Sequence, residues 1–232
     1  MLKVNNLSLG KKEYGKHSSD ENFRMENISF ELGDGYIMAL LGKNGAGKTT
    51  LFDLLSGNAR KGSGSVVYDG VELTWRTRSA INAKMAYVGP FHWCSENETV
   101  NVNVEVLGAL YESFDREYLK QTMERFEFPK SCYEKKYIEL STGQKMQFAI
   151  AFALACRPKI LLLDEPFANL DPIVCMDIAD ILQNSVRTEG IIVIVSTHQV
   201  EEIGDMADYI GILENGRMIR FGNREEVKSE WM

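Results

Sequence analysis

The segment Gly42–Thr49 places glycines, a lysine and a threonine in the order G-x-x-x-x-G-K-[ST]. Glycines let backbone N–H groups close around phosphates, Lys48 reaches the outer phosphates, and the Thr49 hydroxyl can bind Mg²⁺. An apolar segment, Tyr36–Leu41, enters the loop, and a helix pattern, Thr49–Leu55, leaves it, so a helix N-terminus faces the phosphates. The pattern predicts a Mg·ATP site. Its predicted nucleotide-binding residues are Gly42, Lys43, Asn44, Gly45, Ala46, Gly47, Lys48, Thr49 and Thr50.

Two carboxylates end another apolar segment, Ile160–Leu163. At the carboxyl end of a strand, Asp164 suits the coordination shell of magnesium, and Glu165 can polarise an attacking water. Acidic residues often end strands without any chemical role, so this interpretation depends on the phosphate loop. Together the two motifs predict that Thr49 and Asp164 hold Mg²⁺ and that ATP is hydrolysed with Glu165 as the base.

Two further segments have both a functional and a purely structural interpretation. Leu140–Gln144 precedes a helical run, Lys145–Cys156, and Ser141 would be a good N-cap with no other role. His198 follows the apolar run Ile191–Val195, at the strand end where ligands bind in α/β sheets. A single histidine there is more often an ordinary surface residue.

The elements that must position these residues alternate between short apolar runs and helix patterns, which predicts a parallel sheet in an α/β core. A smaller antiparallel sheet is predicted at the N-terminus, and Asp69-Gly70 and Asn215-Gly216 are hairpin turn signals. The predicted core strands are Tyr36–Leu41, Ala86–Val88, Ile160–Leu163 and Ile191–Val195. The other predicted strands are Leu2–Leu9, Arg24–Leu32, Ser65–Tyr68, Val71–Leu73, Gly211–Glu214 and Arg217–Phe221.

The middle of the chain is predicted to be helical. In Asp115–Phe126 the residues Leu119, Met123 and Phe126 follow the spacing of one helix face, and Pro129 ends that element. We therefore predict one domain over residues 1–232: a P-loop NTPase core with a parallel sheet and an antiparallel β lobe (1–88 and 158–232), and an inserted helical lobe (89–157).

Composition narrows the class of protein. The 232 residues are 44% hydrophobic and 25% charged, as in an ordinary globular domain. The longest apolar run, Phe148–Cys156, is far shorter than the about 20 residues of a membrane-spanning helix. The N-terminus lacks a secretion signal, the net charge of -7 argues against nucleic acid as a partner, and four widely spaced cysteines are expected to be reduced thiols. These features predict a cytoplasmic protein.

Taken in order, five motifs resemble those of the nucleotide-binding subunits of ATP-binding cassette (ABC) transporters. The resemblance covers essentially the whole chain, and the motif order is more specific than any one motif. The region from Glu112 to Gly143 looks most like the ATPases of small bacterial antibiotic- or peptide-export systems. The motifs are Gly42–Thr49, Leu140–Gln144, Leu163–Pro166, Asn169–Asp171 and Ser196–His198.

The resemblance implies roles for individual residues. Glu165 matches the catalytic glutamate, His198 the switch histidine and Asp171 the D-loop aspartate. Leu140–Gln144 matches the LSGGQ signature, with Thr142 in place of one glycine. The resemblance implies that this signature contacts the ATP of a second subunit, through Ser141, Gly143 and Gln144.

Two positions either leave an alternative open or depart from the family's pattern. Tyr14 is the best match to the aromatic residue that stacks on adenine, although Phe23 remains an alternative and Tyr14 could equally be an exposed loop residue. Pro90 stands where the family usually has glutamine, and proline has no side-chain amide for magnesium or water. The usual link between nucleotide state and membrane partner is therefore in question, and His92 and Glu96 are the neighbouring polar candidates.

The resemblance implies that the chain powers a membrane transporter by ATP-driven head-to-tail dimerisation. Its partners would be a second copy or a paralogous ATPase subunit, and a polytopic permease that holds it on the inner face of the membrane. One alternative is an ABC-type ATPase that controls an envelope or repair partner. A soluble P-loop kinase is disfavoured, because it would lack the Leu140–Gln144 segment and need an arginine-rich lid that we do not find.

Overall fold

Five parallel strands and one antiparallel strand form the larger sheet in the part of the chain that the computed structural model describes, residues 1–10, 24–89, 93–199 and 205–231. Their order is β10-β9-β3-β8-β7-β6, and β10 is the antiparallel edge strand. The strands are β3 (Ile37–Leu41), β6 (Met85–Val88), β7 (Ile160–Asp164), β8 (Ile192–Thr197), β9 (Tyr209–Glu214) and β10 (Arg217–Asn223).

The predicted core strands lie in this sheet, with ends shifted by one or two residues. Every residue of β3, β7 and β8 is buried, as expected for strands covered on both faces. Because β3, β8 and β7 are parallel neighbours, their carboxyl ends meet at one edge of the sheet. The phosphate loop follows β3, and Asp164 is the last residue of β7. β8 ends at Thr197, the residue before His198.

The smaller sheet is antiparallel and has the order β2-β1-β4-β5. Its strands are β1 (Leu2–Leu9), β2 (Ile28–Leu32), β4 (Lys61–Tyr68) and β5 (Val71–Glu72). The prediction that a strand covers Arg24–Leu32 is wrong at its start, because Asn27 has a φ of 57° and the strand begins only after it. β4 is longer than predicted and includes Gly64, whose left-handed φ of 80° accompanies a bulge against β1.

Both predicted hairpin turns are confirmed. Asp69 and Gly70 have φ values of 48° and 80°, and Asn215 and Gly216 have values of 47° and 75°. Two consecutive positive φ angles define the turn whose twist matches that of the flanking strands.

Seven α-helices lie in the described ranges. Three of them fall within residues 89–157, which is the range predicted as a helical lobe, although the lobe boundaries stay a prediction. None of the described helices is long and apolar enough to cross a membrane. The helices are α1 (Lys48–Leu55), α2 (Arg78–Asn82), α3 (Val100–Gly108), α4 (Arg116–Arg125), α5 (Thr142–Ala155), α6 (Pro172–Glu189) and α7 (Arg224–Trp231).

The larger sheet separates two hydrophobic clusters. On one face, Ile37 and Ala39 of β3 pack with buried residues of the helical segment and α6. On the other face, Met38 and Leu40 pack with α1 and the antiparallel sheet. Alternate residues of one strand thus serve two cores. The predicted α/β class with a parallel sheet, an antiparallel β lobe and helices is confirmed.

Candidate nucleotide-binding and catalytic site

The phosphate loop joins β3 to α1, and its glycines are required by geometry. Gly45 and Gly47 have left-handed φ angles of 82° and 107°. A Cβ atom on Gly42 would lie 2.6 Å from the carbonyl oxygen of Leu213. The loop therefore approaches the β9–β10 hairpin more closely than any other residue type at position 42 would allow.

Backbone hydrogen bonds brace the loop on two sides. The Gly42 N–H donates to the carbonyl of Thr197 at 3.2 Å, which ties the loop to the end of β8. The Gly216 N–H donates to the carbonyl of Ala46 at 2.9 Å, which ties it to the hairpin. The loop is thus held in shape by neighbouring strands rather than by its own side chains.

Lys48 points back into this loop. Its Nζ donates to the carbonyl oxygen of Gly42 at 2.6 Å and that of Lys43 at 3.4 Å, and its side chain is 6% exposed. The same Nζ forms an ion pair with Glu165 Oε1 at 2.9 Å. The ammonium is therefore held at the mouth of the loop, next to the predicted catalytic carboxylate.

Asp164 accepts hydrogen bonds from three hydroxyl groups. Thr49 Oγ1 donates to Oδ2 at 2.6 Å and the Tyr87 hydroxyl to the same oxygen at 3.3 Å, while Ser196 Oγ donates to Oδ1 at 2.5 Å. Burial and the nearby charges of Asp164 and Asp53 raise the pKa of Tyr87 well above its usual range, so its hydroxyl keeps the proton that it donates. Donors to both oxygens stabilise the charged carboxylate, which is 7% exposed.

Glu165 lies between two cationic or polar groups. Its Oε1 contacts Lys48, and its Oε2 lies 2.8 Å from Nδ1 of His198. Its backbone has a φ of 52°, and its N–H donates to Oγ of Ser196 at 3.0 Å. A left-handed backbone in a non-glycine residue costs of the order of 1 kcal/mol or more and often marks a functional site. This turn directs the carboxylate toward the phosphate loop.

The structure therefore brings together the residues that the sequence predicted from separate motifs: Lys48, Thr49, Asp164, Glu165 and His198. Asn44 is exposed, whereas Thr50 is buried in the first turn of α1. Sequence reasoning gave Ser196 no role of its own, although it begins the Ser196–His198 motif, and it did not predict Tyr87 at the site. Both residues lie on strands next to β7, which ends in Asp164: Ser196 on β8 and Tyr87 on β6. Their proximity to Asp164 could be predicted only if the order of the strands were known.

The signature segment and Asp171 form helix caps in this chain. Ser141 Oγ accepts from the N–H of Gln144 at 3.2 Å, and Gln144 Oε1 accepts from the N–H of Ser141 at 3.1 Å. Asp171 accepts from the N–H of Ile173 at 2.8 Å at the start of α6. Ser141 and Asp171 are exposed, and Gly143 is half-buried. Among the described residues, no polar contact joins the signature segment to the phosphate loop.

Several predicted positions lie outside the described residues: Tyr14, Phe23, Pro90 and His92. The roles suggested above for these four residues therefore remain predictions. Glu96 is described, and it is exposed.

The donors present fit ATP and Mg²⁺. Magnesium takes one or two protein oxygen ligands and completes its shell with phosphate oxygens and water, and Thr49 with Asp164 offers such a pair beside the phosphate loop. Among the described residues, no group of three or more His, Cys, Asp or Glu residues could hold a metal by itself. This agrees with a metal that depends on the nucleotide for most of its ligands.

This fold and site define a P-loop nucleoside triphosphatase. Comparison with known proteins narrows the class further: the family model described as ABC transporter matches residues 25–168, and the chain belongs to this family. It is an ATP-binding subunit of the ABC transporter type and an ATPase.

Individual relatives of the chain are also ATP-binding proteins of transporters. The chain is 32% identical to the ABC transporter ATP-binding protein YtrB of Bacillus subtilis, over 92% of this chain and 71% of YtrB. It is 30% identical to the lantibiotic transport ATP-binding protein SrtF of Streptococcus pyogenes, over 94% of this chain and 89% of SrtF. The latter is consistent with the predicted likeness to antibiotic- and peptide-export ATPases.

A solved structure has the same fold. The cbiO1 protein of Clostridium perfringens, part of the ABC transporter complex cbiONQ, superposes with a TM-score of 0.81 at 28% identity, covering 99% of this chain and 91% of that one.

Proposed function

We propose that this chain hydrolyses Mg·ATP with Glu165 as the group that polarises the attacking water, and that hydrolysis drives a membrane transporter. The observation that carries the proposal is the position of the Glu165 carboxylate. It lies 2.9 Å from Lys48 Nζ and 2.8 Å from His198 Nδ1, at the mouth of the phosphate loop. A carboxylate there is within reach of water beside the terminal phosphate.

Each neighbouring group has a distinct part in this reaction. Lys48 and the loop N–H groups bind the phosphates, and the N-terminus of α1 adds a favourable dipole. Thr49 and Asp164 would hold Mg²⁺, which supplies positive charge against the phosphate oxygens when bound. His198 orients Glu165 through its Nδ1 contact, while its Nε2 lies 3.3 Å from the Gln199 amide nitrogen.

We further propose that two subunits pair head to tail, so that Ser141, Gly143 and Gln144 of one subunit face the nucleotide of the other, with Asp171 at the same interface. The capping box leaves Ser141 exposed at the N-terminus of α5. Next to Asp171, the large apolar side chains of Ile173 and Met176 are 69% and 67% exposed. Exposed apolar residues beside a predicted interface support a contact with another protein chain.

The permease partner and the position on the inner face of the membrane are likewise proposals. They are supported by membership of the transporter family and by a row of exposed apolar residues on α3 and the turn that follows it: Val102, Val106 and Leu110. The i, i+4, i+8 spacing places these side chains along one face of the helix and its following turn.

The substitution Glu165→Gln tests the catalytic part of the proposal. Glutamine keeps the size and hydrogen-bonding reach of glutamate but cannot act as a base, so hydrolysis is expected to fall about 10²- to 10⁴-fold while ATP binding remains. Phosphate release and equilibrium nucleotide binding measure the two effects. Glu72→Gln is the matched control, because Glu72 pairs with Lys61 in the antiparallel sheet. Hydrolysis at the unchanged rate in Glu165→Gln would refute the assigned role.

A further inference from the structure

Tyr87 approaches the predicted magnesium-binding carboxylate from the neighbouring strand. It lies on β6, which pairs with β7 so that Tyr87 is opposite Leu162, two residues before Asp164. Alternate residues of a strand share a face, so Tyr87 and Asp164 project to the same side of the sheet as α1. The phenol ring meets Phe52 of α1 edge to face, with ring centroids 5.9 Å apart, and its hydroxyl lies 3.3 Å from Asp164 Oδ2.

Gly89 leaves the space that this arrangement requires. A Cβ atom at position 89 would lie 2.9 Å from Cζ of Tyr87 and 3.0 Å from its hydroxyl oxygen. Contacts this short are incompatible with the observed ring position, although the end of the tyrosine side chain could shift by a few tenths of an ångström. The glycine therefore permits the hydroxyl to reach Asp164.

The Tyr87 contact is one of three hydrogen bonds that the Asp164 carboxylate accepts from hydroxyl groups on other elements. One of these donors, the Tyr87 hydroxyl, comes from β6. In the described residues, Ser196 on β8 and Thr49 on α1 complete the set of donors.

We propose that Tyr87 is a positioning residue for Asp164, and that Gly89 is the residue that allows it to act. The Tyr87 hydroxyl donates to Oδ2, the oxygen that also accepts from Thr49, while Ser196 holds Oδ1. Thr49 and Ser196 place one donor on each oxygen, and Tyr87 adds a second donor on Oδ2. Rotation of the carboxylate about its Cβ–Cγ bond therefore breaks one more hydrogen bond when Tyr87 is present, and this helps its free lone pairs keep one direction. This inference depends on the proposed binding of Mg²⁺ by Asp164.

The test is the Mg²⁺ dependence of ATP binding to Tyr87→Phe. Phenylalanine keeps the ring and its contact with Phe52 but lacks the hydroxyl. Outer-shell groups that orient metal ligands change metal affinity about 10- to 100-fold when removed. Because the hydrogen bond is long, we expect about a tenfold rise in the Mg²⁺ concentration at half-saturation, at fixed ATP. ATP binding in the presence of EDTA is expected to stay the same.

Two further variants separate positioning from packing. Gly89→Ala should shift the Mg²⁺ dependence in the same direction as Tyr87→Phe but less, because it displaces the hydroxyl without removing it. Tyr68→Phe is the matched control: Tyr68 is buried where Tyr87 is half-buried, and its hydroxyl donates to the carbonyl of Leu55 at 2.8 Å, away from Asp164. It should leave the Mg²⁺ dependence unchanged, even if its thermal stability falls.

The possible results are distinct. A wild-type protein whose ATP binding ignores Mg²⁺ would overturn the metal site of the proposed function, and the role of Tyr87 with it. A Mg²⁺-dependent wild type with an identical Tyr87→Phe curve would overturn the role of Tyr87 alone. Equal weakening of ATP binding with Mg²⁺ and with EDTA would also overturn it, because it would indicate a packing defect of the phosphate loop.

Discussion

Lys48 and Glu165 form an ion pair that a bound phosphate would have to rearrange. Lys48 is almost fully buried and Glu165 about three-quarters buried, so each charge compensates the other in the absence of nucleotide. A terminal phosphate offers Lys48 a second anionic partner and leaves Glu165 facing the phosphate. We infer that His198, on the other carboxylate oxygen, then becomes the main contact that keeps Glu165 in place.

The substitution Lys48→Ala is expected to weaken ATP binding about a hundredfold, because it removes the cation that would pair with the outer phosphates, and truncation of one partner of such a charge pair costs about 2 to 5 kcal/mol. It also leaves the negative charge of Glu165 uncompensated, so that the carboxylate repels the phosphates more strongly. Nucleotide titration of the purified variant measures the effect. Lys159→Ala serves as the control, since Lys159 is exposed and precedes the opposite end of β7. Unchanged affinity in Lys48→Ala would mean that nucleotide binds elsewhere.

The sequence predicts which residues form the site better than it predicts which of them are in contact. Lys48, Thr49 and Asp164 follow from motif spacing alone, because each motif implies a fixed local backbone. Ser196 and Tyr87 do not, because their distance from Asp164 depends on which strands are neighbours. Strand order is a long-range property that the spacing of residues along a single strand does not contain.

Helix ends carry much of the organisation at the scale of elements. The predicted run Lys145–Cys156 starts earlier, at Thr142, because Ser141 and Gln144 satisfy each other's backbone N–H groups in a capping box. Helix α6 is absent from the elements predicted above, although its local signals are present. Asp171 is its N-cap, Pro172 its first residue and Gly190 its left-handed C-cap.

Helix α3 gives a prediction about the membrane partner. Val106 and Leu110 are 59% and 72% exposed on α3 and its following turn, and Val102 lies one turn earlier. If the permease covers this row, the double substitution Val106→Asp and Leu110→Asp should weaken co-purification with the permease about tenfold or more. ATP hydrolysis by the isolated subunit should remain unchanged, because neither side chain belongs to the site described above.

The control for this experiment is Val71→Asp, which changes a valine of similar exposure, 47%, on the antiparallel sheet. Permease binding that survives in the α3 variant, or is lost equally in the control, would exclude α3 as the docking surface.

At the scale of the whole molecule, the sheet edge carries only part of the predicted machinery. The phosphate loop, Asp164, Glu165 and His198 lie together, whereas the signature segment is exposed at the start of α5 and contacts its own helix. A helix N-terminus favours anions within its first turn, so the signature can act on a phosphate only if one is brought to it. In the proposed head-to-tail pair, the second subunit would supply that phosphate.

Pairing of two subunits is tested in the Glu165→Gln background, where ATP persists because hydrolysis is slow. This variant is expected to dimerise with ATP and to stay monomeric without it, as measured by light scattering. Adding Ser141→Asp should abolish the dimer, because aspartate places a negative charge opposite the partner's terminal phosphate. Aspartate is as good an N-cap as serine, so the free energy of unfolding should change by only a few tenths of a kcal/mol.

Replacing the N-cap residue of another helix by aspartate distinguishes an effect on the subunit interface from an effect on the helix cap. Thr99 is the N-cap of α3 and accepts from the N–H of Val102 at 3.2 Å, so Thr99→Asp tests the effect of an added carboxylate at a helix start away from the proposed interface. The Glu165→Gln protein that also carries Thr99→Asp should still dimerise with ATP. ATP binding to the monomer should be equal in both variants, since neither residue belongs to the phosphate loop. If Ser141→Asp dimerises as well as Thr99→Asp, the signature segment is only a helix cap, and the head-to-tail arrangement is wrong.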